Sequence, residues 1–185
     1  MIVTQRLELL PSSSETLVAA LHSPQALAAA LGAEVPLSWP PDFLDAPALQ
    51  FVLDRVTADP GAAPWWFYFV ILRDLDAERV VIGTAGYKGP PDAEGTVEIG
   101  YGIVSDRRRR GYAAEAAGAL IEHAFADPAV GRVIAETYPE LTGSIGVLKR
   151  CGFEEIGPGS EPRVIRFALS RRAWSKMRSK PRGGV

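Results

Sequence analysis

Midway along the chain a strand runs through an arginine-rich turn into a helix, and few folds accommodate that order. Glu98-Ile99-Gly100-Tyr101-Gly102-Ile103-Val104-Ser105 has strand character, and Arg107 to Arg110 with Gly111 make the turn. A helix follows from about Tyr112 to Ala126, with Ala113, Ala117, Leu120 and Ala124 on its 3.6-residue period. The first amides of such a helix have no internal partners and sit at its positive end, where an anion binds. Gly111 lets the backbone approach that anion closely because it has no Cβ. Neighbouring arginines add charge-assisted hydrogen bonds to phosphate. Two commoner phosphate motifs do not fit. No G-x-x-x-x-G-K-[ST] occurs, and Ser105 stands where a dinucleotide fingerprint beginning at Gly100 needs glycine. The plain alternative is a solvated surface turn, as charge runs usually are.

Charge distribution separates two basic spots from an acidic body. The net charge of −2 conceals six basic and no acidic side chains in residues 171–185, which leaves −8 for residues 1–170. Outside Arg107–Arg110 as well, the balance is −12. One cysteine, Cys151, excludes an internal disulfide framework, and with only His22 and His123 beside it no Cys/His metal site is expected. No apolar run is long enough to span a membrane, and the N-terminus does not read as a signal peptide, so a cytoplasmic protein is expected.

A length of 185 residues suits one domain with one core. Residues 4–10 alternate as a half-buried strand; Ser12-Ser13-Ser14-Glu15 can cap a helix that runs through about Ala30, and another is predicted from about Asp45 to Ala58. Trp65–Leu72, Val80–Tyr87 and Thr96–Val104 read as an antiparallel meander, with Asp74–Glu78 as its first turn. Gly131–Tyr138 is a further strand, Ser144–Arg150 a short helix, and Phe153–Ile156 with Arg163–Leu169 a final strand pair. The expected fold is one α/β domain with a mixed sheet over residues 1–170, followed by a basic, loosely ordered tail at 171–185.

Three motifs then coincide. Arg108-Arg109-Arg110-Gly111-Tyr112-Ala113 resembles the R/Q-x-x-G-x-G/A signature of the GNAT superfamily of acetyl-CoA-dependent N-acetyltransferases. Ser144-Ile145-Gly146-Val147-Leu148-Lys149-Arg150-Cys151-Gly152-Phe153 is similar to the S-I-x-x-L-x-x-x-G-F helix–turn of its RimJ/RimL-like branch. Thr4-Gln5-Arg6-Leu7-Glu8-Leu9 resembles that branch's opening strand, so the likeness covers roughly residues 2–170.

The resemblance implies a mostly antiparallel sheet with helices on both faces and a V-shaped split between two parallel strands. It implies acetyl-CoA as cosubstrate, with backbone groups of Ile103, Val104 and Ser105 on the pantetheine arm. Arg108, Arg109, Arg110, Gly111, Tyr112, Ala113 and Ala114 would hold the pyrophosphate. An amide near Val104 would polarise the thioester carbonyl. An amine would attack directly in a ternary complex, after losing its proton to a base. Glu98 is the candidate base, because alternation puts it on the face of Val104 if no bulge intervenes. The tyrosine that many members place four residues before the G-F pair is Leu148 here, and the N-x-x-S asparagine is Leu141. Ser144, Tyr138 or solvent is left to protonate the departing thiolate. Cys151 reads as packing, not as a nucleophile.

The acceptor is less determined. Trp39, Trp66 and Tyr68 are candidates to wall its pocket, with core packing as the alternative. The acidic body favours a cationic amine: a peptide N-terminus, a polyamine or an aminoglycoside alike. Two other readings compete. One is a degenerate acyl-CoA sensor or scaffold; the other, a nucleic-acid-binding module using Arg107–Arg110, is disfavoured by the acidic body. A monomer or a homodimer is equally compatible with the sequence, and no membrane partner is expected.

Overall fold

Local signals set the first elements. In the computed structural model, which describes residues 1–73 and 78–179, Ser13 caps helix α1 (Ser14–His22) in a capping box with Thr16. Ser23 then caps α2 (Pro24–Leu31) by accepting from the Ala26 amide at 3.1 Å. The single helix expected from the Ser12–Glu15 cap to about Ala30 is therefore two, because Ser23-Pro24 is both a stop and an N-cap with proline at N1. Asp45 caps α3 (Ala46–Ala58) in the same manner.

The strands are β1 (Ile2–Val3), β2 (Leu7–Pro11), β3 (Phe67–Leu72), β4 (Val80–Tyr87), β5 (Thr96–Ile103), β6 (Arg132–Thr137), β7 (Glu154–Pro158) and β8 (Ile165–Ser170). They form one sheet in the order β1-β2-β3-β4-β5-β6-β8-β7. Only β5 and β6 pair in parallel; every other described neighbour is antiparallel. Helices α4 (Tyr112–Ala126), α5 (Thr142–Arg150) and α6 (Arg171–Ser179) complete the chain.

Helices cover both faces. Leu27 and Leu31 of α2 pack on Phe69, Ile71 and Val81, and Leu17 meets Leu49 and Val56 of α3 beside them. On the opposite face Ala116, Leu120 and Ala124 of α4 pack with Tyr68, Tyr87, Val97 and Ile99, and with Leu148 of α5. Strand β4 lies between these layers and is buried at every position, which is why it reads as an unbroken apolar run.

Three expectations shift. The opening strand begins at Leu7, because Thr4 and Arg6 turn aside to hydrogen-bond Glu115. Trp65 ends a 3₁₀ segment (Pro60–Trp65), so β3 starts at Phe67. Residues 171–179 are helical, not loose: Arg171 donates to the carbonyls of Phe125 (2.7 Å), Asp127 (2.5 Å) and Val130 (2.6 Å), and Trp174 stacks on Phe125. Apart from Glu78, the expected Asp74–Glu78 turn lies outside the described residues, as do residues 180–185.

Candidate active site

Strand β5 organises the site through two alternations. Its even residues bond backbone to β4, since Lys88 N donates to Glu98 O (2.9 Å) and Val104 N to Ile82 O (3.0 Å). Its odd residues therefore face β6. Pairing with β6 ends at Glu98–Ile134, so the two parallel strands separate beyond that point. The Tyr101 and Ile103 amides consequently open into the split with no strand partner. The Val104 amide does not, since Ile82 O already occupies it, so an amide near Val104 that serves a carbonyl has to be another one. The β4–β5 register is uninterrupted from Ile99 to Ile103, so Glu98, Gly100 and Gly102 share one face and Tyr101 lies on the other.

The split widens into a cleft of about 700 Å³ between the turn, the start of α4 and α5. Gly111, at φ +85°, is the N-cap of α4 and supplies no side chain, so the amides of Tyr112, Ala113 and Ala114 keep their hydrogen-bonding capacity for a ligand. Arg109 also adopts positive φ (62°) and lines the cleft. Arg107 lines it too, with a buried Nε that has no hydrogen-bond partner. These groups fit a pyrophosphate: free helix amides, and the Arg107 guanidinium, whose Nε makes no hydrogen bond and lies 3.7 Å from Asp106 Oδ2.

Arg108 lines the cleft as well, while it and Arg110 are also bonded within the protein. Arg108 donates from Nε to the Ile103 carbonyl (2.8 Å) and from Nη2 to Asp42 (2.7 Å), tying the end of β5 to the 36–45 connector. Arg110 reaches the Asp106 carbonyl (3.5 Å) and does not line the cleft, and of the short 3₁₀ turn Ser105–Arg107 it is Arg107, not Ser105, that does.

Across the cleft, α5 presents Ser144. The helix starts at Thr142, so Ser144 is inside its first turn and is not the N-cap. Tyr101, which the sequence reading missed as a side chain, donates its hydroxyl to the Ser144 carbonyl (3.2 Å) and lies 3.4 Å from Ser144 Oγ. Burial pushes the Tyr101 phenol up to about 12; the Ser144 hydrogen bond opposes that shift and the Cys151 thiol adds to it. The phenol is thus neutral and a donor at physiological pH. Leu148 is buried core, and Cys151 is partly buried, its thiol facing the Ala114 carbonyl.

On the opposite face of β5, Glu98 is 19% exposed and forms an ion pair with Lys88, a charge contact in which Oε1 makes no directed hydrogen bond. Gly100 has open space above it, whereas a Cβ on Gly102 would meet Pro41. Trp66 borders this face through Gly89, at the far end of β4. Tyr68 does not border it. Opposite Ala85, and so on the face of Tyr101, it is 1% exposed in the α4-side core, its hydroxyl bonded to Pro64 O. Trp39 packs on Phe69 instead of standing over β5.

The sheet opens between two parallel strands above a helix start that no side chain caps. Residues 8–154 match the acetyltransferase (GNAT) domain family, and the chain belongs to that family and is an acyltransferase. Its relatives include the uncharacterized N-acetyltransferase YjdG of Bacillus subtilis (strain 168), 33% identical over 125 residues, 66% of this chain and 71% of that protein. Among solved structures, RimL, the ribosomal L7/L12 alpha-N-protein acetyltransferase in complex with coenzyme A, superposes with a TM-score of 0.62 at 15% identity. That match covers 92% of this chain and 97% of RimL. AAC(6')-Ib in complex with ribostamycin and coenzyme A gives 0.63 at 17% identity, over 95% of this chain and 99% of that one. At such identities these structures share the fold.

Proposed function

We propose that this protein transfers an acetyl group from acetyl-CoA to a primary amine by direct attack in a ternary complex. The observation that carries the reading is the junction at Gly100. On one side of β5 stand the Tyr101 hydroxyl and Ser144; on the other stands Glu98, with a residue lacking Cβ between them. Acetyl-CoA supplies the activated acyl group. The amides of Tyr112, Ala113 and Ala114, with Arg107 and Arg109, hold its pyrophosphate, and the Ile103 backbone orients the arm lying along β5.

The Tyr101 amide is placed to stabilise negative charge on the thioester oxygen, because it faces the split and has no partner in β6. Glu98 takes the proton of the incoming ammonium. It sits two residues from Gly100, roughly 7 Å along a strand, which a carboxylate spans directly or through one water. Tyr101 and Ser144 donate to the departing thiolate, the phenol being protonated throughout the working pH range. Coupled release of CoA thiol with a panel of amines tests this reading. Amine-dependent CoA release is expected; acetyl-CoA binding with no release for any amine would leave the acyl-CoA sensor as the better account.

A further inference from the structure

The acceptor face of β5 differs in charge from the body of the protein. Residues outside the two basic spots carry −12, which by itself favours polycations. The carboxylates that line the cleft, Asp42 and Glu140, and Glu98 beside Gly100 each already have a cation, however. Glu98 pairs with Lys88, Asp42 with Arg108 at 2.7 Å, and Glu140 with Arg163 at 3.0 Å. A polyamine or aminoglycoside would find no unpaired carboxylate there to replace its lost hydration.

The Glu98–Lys88 pair is the one beside the reacting position. Opposite Gly100 on β4 is Gly86, where a Cβ would collide with the Trp66 carbonyl, so the floor has no side chains. Trp66 closes one end, and the Pro41 end of the connector covers Gly102 at the other. Glu98 is mostly covered, at 19% exposed, while Lys88 is 63% exposed and begins the β4–β5 turn. Lys88 can therefore swing away at little cost, and Glu98 cannot. The Lys88 ammonium occupies the position on Glu98 that an acceptor ammonium needs.

Displacing Lys88 leaves a cation on a long, mobile stem beside the bound amine. The exchange is balanced when the acceptor brings an anion to meet it. Resting on the acetyltransferase reading above, we propose that the acceptor is an amphoteric amine, with an anionic group a few bonds from its ammonium. The ammonium takes Lys88's place on Glu98 and the anion pairs with the released Lys88. Free amino acids and peptides with an acidic residue at or next to the N-terminus share this chemistry.

Steady-state acetylation by the full-length protein tests it with a free α-amino acid, a peptide with an acidic second residue, its neutral counterpart, and spermidine. The wild-type protein is expected to prefer the amphoteric acceptors over the neutral peptide and spermidine by about tenfold or more in kcat/KM. K88M should erase that preference, and K88E should turn it toward spermidine, with melting temperature and acetyl-CoA affinity unchanged. Which of the two amphoteric probes is used better distinguishes a free metabolite from a chain end. A wild-type preference for spermidine, or equal losses for all acceptors in K88M, overturns the proposal while leaving the acetyltransferase reading intact. No turnover with any amine overturns both.

Discussion

A phenol that keeps its proton is useful beside a leaving thiolate, and burial gives Tyr101 that property. Tyr101→Phe is expected to lower kcat about tenfold with acetyl-CoA affinity within about twofold of wild type. An unchanged kcat would assign the proton to Ser144 or solvent. Glu98→Gln should slow turnover at neutral pH and leave calorimetric acetyl-CoA binding intact; unaltered kinetics would remove Glu98 from the mechanism. A third residue acts on stability. Burial alone would raise Glu115, but hydrogen bonds from Thr4 and Arg6, and the Arg6 charge, outweigh it and hold the carboxyl below its ordinary value of 4.5. Its folded pKa is lowered, so its stabilisation is fully present above the unfolded pKa and is lost as pH falls through the folded one. Glu115→Gln should cost about 1 kcal/mol near neutrality, allowing for solvent screening of the half-exposed Arg6. That difference should shrink in melts run progressively below the unfolded pKa; a pH-independent difference would contradict the linkage.

At the scale of elements, the turn into α4 depends on its backbone as much as on its charge. Gly111→Ala places a Cβ at φ +85°, 3.4 Å from the Arg6 guanidinium, and is expected to weaken acetyl-CoA binding about tenfold while circular dichroism stays native. Native binding in that variant would shift the anion site elsewhere. This strand–turn–helix was legible because its signals are local: alternation, a glycine at the cap and a helical period. The same holds for Asp45 as a cap and for β4 as a buried run. The α1–α2 break was legible too, in Ser23-Pro24, but apolar periodicity continues across it and hides it. The order of α6 had no local signal: it depends on Arg171 reaching the carbonyls at the end of α4 and on Trp174 meeting Phe125.

At the scale of the whole molecule, the sheet assigns what one-dimensional patterns leave open. Tyr68 and Trp66 are near neighbours in sequence, yet the register sends Tyr68 into the α4-side core and leaves Trp66 at the acceptor face. The use of the Val104 amide is likewise a property of pairing, since only the β4 register shows that Ile82 claims it. Tyr101 escaped notice because nothing in β5 reveals that α5 brings Ser144 to its hydroxyl. Net charge misleads in the same way: an acidic body surrounds a site whose described carboxylates are all paired. The split and the Arg107–Ala114 turn together form the proposed acyl-CoA site. Titrating acetyl-CoA into the protein by calorimetry at low and high salt tests it most directly. One-to-one binding that weakens with salt, and weakens further in Gly111→Ala, is the predicted result; no binding heat at either salt concentration, together with no thermal stabilisation by CoA, would contradict it.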